Sequence, residues 1–332
     1  MTIPRIELTP GFSVSAQGFG GMALTDVYGG LPSDEALATL NHAVDIGVTL
    51  IDTADVYGAG SNEELIARLL RDRRDEVELA TKFGIIGSPA QGYSGVRGDA
   101  AYVREAAEAS LGRLGTEVID LYYLHRRDTS VPLEETVGAM ADLVAAGKVR
   151  HLGLSEVTAD ELQAACAVHP IAAVQSEWSI WSRDVEAAVV PAAARLGVGF
   201  VPYSPLGRGF LTGTVQAASL GDGDFRHRVP RFDPEAMTAN AAVVEAIQGV
   251  AADAGATAAQ VALAWLAAQG QRFGLPVVPI PGTRKPQRID ENADATAVVL
   301  TEAHLDVLAG AAAQVVGDRS ADRGWVSQGR EA

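Results

Sequence analysis

The sequence predicts an α/β protein, a single (β/α)8 barrel over residues 1–332 with an N-terminal β-hairpin cap at residues 6–16. Two observations predict it. Short apolar runs recur, each leading through a loop into an amphipathic, alanine-rich stretch, the pattern of repeated βα units around a parallel sheet. No Pro-, Gly- and Ser-rich linker divides the chain into two composition classes, so the units close most economically around one core.

After the hairpin the expected strands are "QGFGGMAL", "VTLIDTAD", "VELATKF", "VIDLYYLH", "RHLGLS", "AAVQSE", "GVGFVPYS" and "LPVVPI". Helical periodicity falls between them at 33–46, 61–73, 99–114, 134–146, 158–168, 184–196 and 257–269. Ser33, Ser61 and Thr158 are placed as N-caps, and Gly47, Gly115, Gly147 and Gly197 close helices. Two segments interrupt the rhythm, the glycine-rich loop 84–98 and the long stretch 205–238. Both leave strand C-termini, where barrel enzymes carry their active-site loops. The polar tail 317–332 is expected to be extended or partly ordered.

Nearly half the residues are hydrophobic (48%), enough to fill a large core. Asp and Glu outnumber Lys and Arg by 42 to 26, a net charge of −16, which argues against nucleic acid or an anionic membrane as partner. An anionic ligand would need a local basic pocket. The one cysteine, Cys166, is expected to be a buried structural thiol. The N-terminus has no basic segment leading into a long apolar core and no window reaches membrane-span length, which reads as a cytoplasmic protein. The six histidines show no ligand-like clustering, so no metal is expected.

Polar residues at the ends of apolar strands stand out, because a barrel interior otherwise favours Val, Ile and Leu. Asp52 ends the second strand with Tyr57 behind it, Lys82 ends the third and His125 the fourth; Ser155, Gln175 and Tyr203 end the fifth, sixth and seventh. All converge on one mouth. A carbonyl that is being reduced develops negative charge on oxygen and needs a proton, and a phenol can supply it. A neighbouring Lys82 ammonium favours the phenolate and brings the proton of Tyr57 within reach, while Asp52 holds the lysine in place. His125 donates a hydrogen bond to the substrate oxygen or assists a proton relay; the sequence leaves both open. Each residue alone has an ordinary structural role available, and it is the joint placement at successive strand ends that outweighs it.

The segments "LIDTADVYGAGSNEELI", "LATKFG", "IDLYYLHR", "GKVRHLGLSE", "VPYSPLGRGFLTG" and "PIPGTRKPQRIDENADA" together resemble the successive signatures of the aldo-keto reductase superfamily, a TIM-barrel family, across almost the whole chain. "YYLHRRD", "GLSE" and "DFRHRVPRF" are more similar to members that reduce small aldehydes, including pyridoxal-reductase-like enzymes. The resemblance implies that Asp52, Tyr57, Lys82 and His125 form the catalytic tetrad of an NADPH-dependent reductase of aldehydes or ketones, with Tyr57 as proton donor. It implies that Ser155 and Gln175 bind the nicotinamide carboxamide, that Tyr203 stacks on its ring, and that Gly21 and Met22 lie along the cofactor. Glu156 stands where the family usually has Asn. By the same resemblance Ser204, Leu206, Gly207 and Arg208 pass over the pyrophosphate, Gly282, Thr283, Arg284 and Arg288 lie near the 2′-phosphate, and Glu291 and Asn292 at adenine. Arg284 stands in for the lysine that the family often has at Gly282. By position beyond strand ends, Met22, Tyr28, Phe83, Arg126, Trp178, Trp181 and Phe225 are expected to wall the substrate pocket.

The glycines of "GFGGMA" do not fit a Rossmann fingerprint, since the third glycine, the immediate helix and the acidic residue are not arranged as that motif requires. Two further readings stand beside the reductase: an NADPH-binding redox-sensing regulatory subunit with slow turnover, and a barrel lyase or aldolase with Lys82 as Schiff-base nucleophile.

Overall fold

The computed structural model describes residues 3–88, 92–216, 220, 221 and 223–331. The chain opens with an antiparallel hairpin, β1 (Arg5–Thr9) and β2 (Phe12–Ser15). The barrel repeat then runs β3 (Phe19–Gly20), α1 (Ser33–Asp45), β4 (Leu50–Asp52), α2 (Ser61–Arg73) and β5 (Glu78–Phe83). The expected loop 84–98 holds a second antiparallel pair, β6 (Ile85–Ser88) and β7 (Gly92–Val96). There follow α3 (Ala100–Leu114), β8 (Ile119–Leu124), α4 (Leu133–Ala145), β9 (Val149–Ser155), α5 (Ala159–Val168), β10 (Ile171–Gln175), α6 (Val189–Leu196) and β11 (Gly199–Phe200). The chain ends in α7 (Pro234–Ala239), α8 (Ala241–Ala254), α9 (Ala258–Phe273), α10 (Pro286–Asp294) and α11 (Glu302–Ala312). Among these described residues no single helix is long and apolar enough to cross a membrane.

Seven strands form one parallel sheet in the order β11-β10-β9-β8-β5-β4-β3. The eighth position is filled by residues 277–280. On one side Phe200 N donates to Pro276 O, Val278 N to Phe200 O and Ile280 N to Pro202 O; on the other, Gly18 N donates to Pro279 O, which closes the ring. The segment is thinly bonded because Pro279 has no N–H to give toward the first strand. Glycine makes the seam tight: a Cβ on Gly20 would lie 2.7 Å from Ile280 O, and one on Gly282 2.4 Å from Gly20 O.

The hairpin closes the N-terminal end of the barrel. Leu8, Phe12 and Val14 pack with Leu50, Leu121, Val201 and Val278 inside the ring, each fully buried side chain contributing about 1.5–3 kcal/mol. Gly199 admits this plug, since a Cβ there would meet Leu8 Cδ2 at 2.6 Å. The outward strand faces pack beneath the helices in two larger clusters.

Several boundaries differ from the expectations. Thr158 caps α5 through a capping box with Glu161, but α1 begins at Ser33 with Pro32 as its cap. The Ser33 hydroxyl instead accepts a hydrogen bond from Arg68, and α2 begins at Ser61 behind left-handed Gly60. Helices α7, α8, α10 and α11 were not expected, and Cys166 is half-buried rather than buried. The tail 317–331 carries two short 3-10 turns and buries Arg319, Val326 and Ser327.

Candidate active site

Strand register sets the first group. Asp52 pairs with Ala80 and Lys82 with Tyr123, and side chains alternate, so Asp52 and Lys82 face the barrel interior. His125 continues β8, its N–H donating to Phe83 O at 2.7 Å. Tyr57 leads the turn after β4, which Gly58, Ala59 and Gly60 pass in the left-handed region at φ 59, 55 and 95°.

These four side chains meet. Lys82 Nζ is fully buried and donates to Asp52 Oδ1 at 2.5 Å, Thr53 O at 2.7 Å and Tyr57 Oη at 3.5 Å. Gln175 Nε2 donates to the other Asp52 oxygen at 2.9 Å. The Tyr57 and His125 rings stand edge to face, centroids 5.8 Å apart. His125 Nδ1 is buried and has no hydrogen-bond partner among the described residues.

Burial alone would favour the neutral amine of Lys82, but Asp52 and Tyr57 outweigh it and raise the ammonium pKa. Burial, then Arg126 and Lys82, push His125 well below its usual value, so the imidazole is neutral near pH 7. Burial raises the Tyr57 phenol, and Lys82 pulls against it without cancelling it. The expected lowering by Lys82 is therefore present in sign but overcome by desolvation. Behind the group, burial and the nearby Glu63 charge push Asp55 up to about 7.

A second set rings the mouth. Ser155 and Gln175 end β9 and β10, and Tyr203 bridges to Glu177 beside them. Glu156 sits at φ 53° and is fully engaged. Its two oxygens accept from Arg319 Nη1 and Nη2 at 2.9 and 3.0 Å, Tyr203 Oη at 2.8 Å, and the backbone N–H groups of Glu177 and Ser327, both at 3.0 Å. Burial would raise this carboxyl, but Arg319 holds it far below the usual range.

The turn 204–209 brings Ser204, Leu206, Gly207 and Arg208 together, with Ser204, Gly207 and Arg208 left-handed. A Cβ on Gly207 would meet the Trp181 indole at 2.7 Å, and Arg208 pairs with buried Glu177 at 3.2 Å. Arg208 and Arg226 lie over Phe225 and Tyr28, tying the long loop to the first one.

At the far end, Thr283 is buried and its hydroxyl accepts from Lys285 N at 3.2 Å, while Arg284 donates to Gly29 O at 2.8 Å. Lys285 is the N-cap of α10 and Arg288 lies in its first turn, so two cationic residues stand at the partly positive helix N-terminus; Glu291 and Asn292 follow on the helix. Gly21 borders Asn62, which donates to its carbonyl at 3.0 Å, and Met22 follows in the same short 3-10 turn.

Three expected pocket residues are buried in packing. Phe83 alternates with Lys82 and is fully buried on the helix side, its ring stacked on Tyr122 at 4.9 Å. Trp178 is fully buried against Phe200, Trp265 and Phe273. Trp181 is stacked 4.7 Å from Phe210 and supports the long loop from below. Trp325 and Tyr93, which no sequence motif marks, also border this group. Trp325 packs, as Tyr57 does, on the cluster of Ala54, Val56 and Ile85, stacks on Tyr93 at 6.1 Å and has its ring 5.8 Å from the Arg126 guanidinium. The tail is brought there by Arg319, an arginine in a segment whose polarity alone suggested an extended end.

A neutral imidazole with a nitrogen that has no partner among the described residues, at the mouth, and two cationic residues, Lys285 and Arg288, at the N-terminus of α10 suit the two ends of a dinucleotide. Comparisons with known proteins agree with that shape. The Aldo/keto reductase family model matches residues 17–312. The chain is 46% identical over 301 residues to a probable aldo-keto reductase 1 of Glycine max, covering 90% of this chain and 85% of that one. It superposes on the glycerol dehydrogenase AKR11B4 of Gluconobacter oxydans with a TM-score of 0.82 at 28% identity, covering 95% of each. A thermostable aldo-keto reductase in complex with the inhibitor epalrestat gives 0.73, also at 28% identity, over 93% of this chain and 100% of that one. The chain belongs to the aldo/keto reductase family. Membership makes it an NAD(P)H-dependent oxidoreductase acting on carbonyl groups of small molecules.

Proposed function

We propose that the protein is an NADPH-dependent reductase of aldehydes or ketones in which Tyr57 is the proton donor. The observation that carries the reading is the buried Lys82 ammonium held between Asp52 at 2.5 Å and the Tyr57 hydroxyl at 3.5 Å. Bound cofactor supplies the hydride. Neutral His125 can donate one hydrogen bond to the carbonyl oxygen and orient it toward the Tyr57 hydroxyl, which favours the first of its two expected roles. As negative charge grows on that oxygen, the Tyr57 proton moves to it, and Lys82 stabilises the phenolate left behind. Asp52, fixed by Gln175, keeps Lys82 charged and aimed.

Ser155 and Gln175 fit the nicotinamide end, together with Tyr203. The pyrophosphate falls to Ser204, Leu206, Gly207 and Arg208, and Gly21 and Met22 border its path. Thr283, Arg284 and Arg288 fit the 2′-phosphate, with Gly282 left as a packing residue, and Glu291 and Asn292 face adenine. Glu156, saturated by Arg319, has no free oxygen for the carboxamide. Fluorescence titration with NADPH and NADH, followed by an aldehyde panel, tests the reading. We expect NADPH to bind at least about tenfold tighter, from charge-assisted contacts to one phosphate, and to be oxidised on addition of aldehyde. Tight binding with negligible turnover would instead mark a redox-sensing subunit.

A further inference from the structure

Among the described residues, one cation at the mouth, Arg126, has no counter-ion. Arg126 Nη1 donates to His125 O at 2.7 Å and to Ser155 Oγ at 3.2 Å, while its Nε is buried without a partner. Arg208 and Arg319 beside the same mouth each pair with a carboxylate, whereas Arg126 pairs with none among the described residues. Glu156 is near enough to feel its charge, but both Glu156 oxygens are engaged by Arg319, Tyr203 and backbone N–H groups. The guanidinium carbon lies over the Trp325 indole, 5.8 Å from its centroid, a cation–π contact that satisfies none of the guanidinium N–H donors.

Arg126 follows His125 in sequence, its charge is felt by both His125 and Tyr57, and Trp325 beside it packs on the same Ala54, Val56 and Ile85 cluster as Tyr57. A half-buried guanidinium with an unsatisfied donor is costly unless a partner completes it, and the planar fork matches a carboxylate. In a chain of net charge −16 such a local cation is also what an anionic ligand needs.

We infer that Arg126 determines specificity by binding a carboxylate on the substrate, so that the preferred carbonyl compounds are oxo acids with the carboxylate a short chain from the reacting carbon. The inference rests on the carbonyl-reduction reading. Trp325, held in place through Arg319 and Glu156, forms the other wall.

The test compares 4-oxobutanoate and 4-carboxybenzaldehyde with their methyl esters, in the full-length chain and in Arg126→Met and Arg126→Lys. We expect wild-type kcat/KM to favour the acids over the esters by at least about tenfold, with the preference shrinking as salt rises. Arg126→Met collapses the acid-to-ester ratio to near one, and Arg126→Lys restores part of it. Benzoate binding in the presence of NADPH, followed by Trp325 fluorescence against benzamide, reads the same site without turnover. Equal losses for acid and ester in Arg126→Met, or a wild type that prefers the esters, would overturn the inference and leave the reductase reading standing. Arg126-dependent benzoate binding in a chain that reduces no ester or acid would instead sink the reductase reading.

Discussion

Two deeply buried ion pairs stand at the mouth of this barrel, and they differ in what they leave open. Glu156 and Arg319 are saturated: both carboxylate oxygens and the guanidinium fork are used, with Asp184 as a second acceptor at 2.9 Å. Asp52 and Lys82 are equally buried, yet Lys82 keeps a long 3.5 Å contact to a hydroxyl, and the imidazole across from it has a nitrogen with no partner. A closed network fixes a segment in place. An open one stores charge beside atoms that still have a bond to make, which is what proton transfer requires.

The largest effect that could break this contrast is on the open pair. Lys82→Met removes the charge that stabilises the phenolate, and kcat/KM for aldehyde reduction should fall roughly 10³-fold. Steady-state NADPH oxidation checks it, with circular dichroism to show that the barrel persists. Turnover within tenfold of wild type would make the open pair a scaffold like the other.

The closed pair should respond differently. Arg319→Ala leaves Glu156 buried and unpaired, at a cost of about 3 kcal/mol, most cheaply avoided by releasing the tail. Limited proteolysis should then cut beyond residue 313, and KM for carbonyl substrates should rise roughly tenfold as Trp325 leaves its wall, while NADPH affinity changes little. Removing the orphan charge as well, in Arg319→Ala with Glu156→Gln, should return part of the thermal stability.

A smaller effect concerns Asp55, behind the open pair. Its folded pKa of about 7 lies above the ordinary 3.8, so the native state holds this proton more firmly. Its share of stability is therefore complete below about pH 4 and is lost as pH rises toward 7. Asp55→Asn should remove that dependence and raise Tm relative to wild type by roughly 2 °C or more at pH 8, with little difference at pH 4. A gap that stays constant with pH would contradict the assignment.

Much of this was legible in the sequence because barrels repeat. Strand-end residues announce themselves by being polar where Val or Ile belongs, and the same alternation that aims Lys82 inward aims Phe83 outward, away from its expected place in the pocket. Trp178 shows the same limit one step further on: its place in the loop was visible, but not the pocket of α9 that buries it. The run "LPVVPI" marks the eighth strand, although its prolines leave too few N–H groups for a regular ladder. The tail was the real gap. Its residues are polar, and only the fold brings Arg319 to Glu156 across 163 positions of chain, so neither the Trp325 wall nor the reason for Glu156 could be read locally.

The most direct test is Tyr57→Phe, measured for NADPH binding and aldehyde reduction in the same preparation. Loss of the hydroxyl alone should leave the cofactor dissociation constant within about threefold while cutting the rate of reduction by at least roughly 10²-fold. Undiminished reduction by the phenylalanine variant would contradict the proton-donor role on which the account depends.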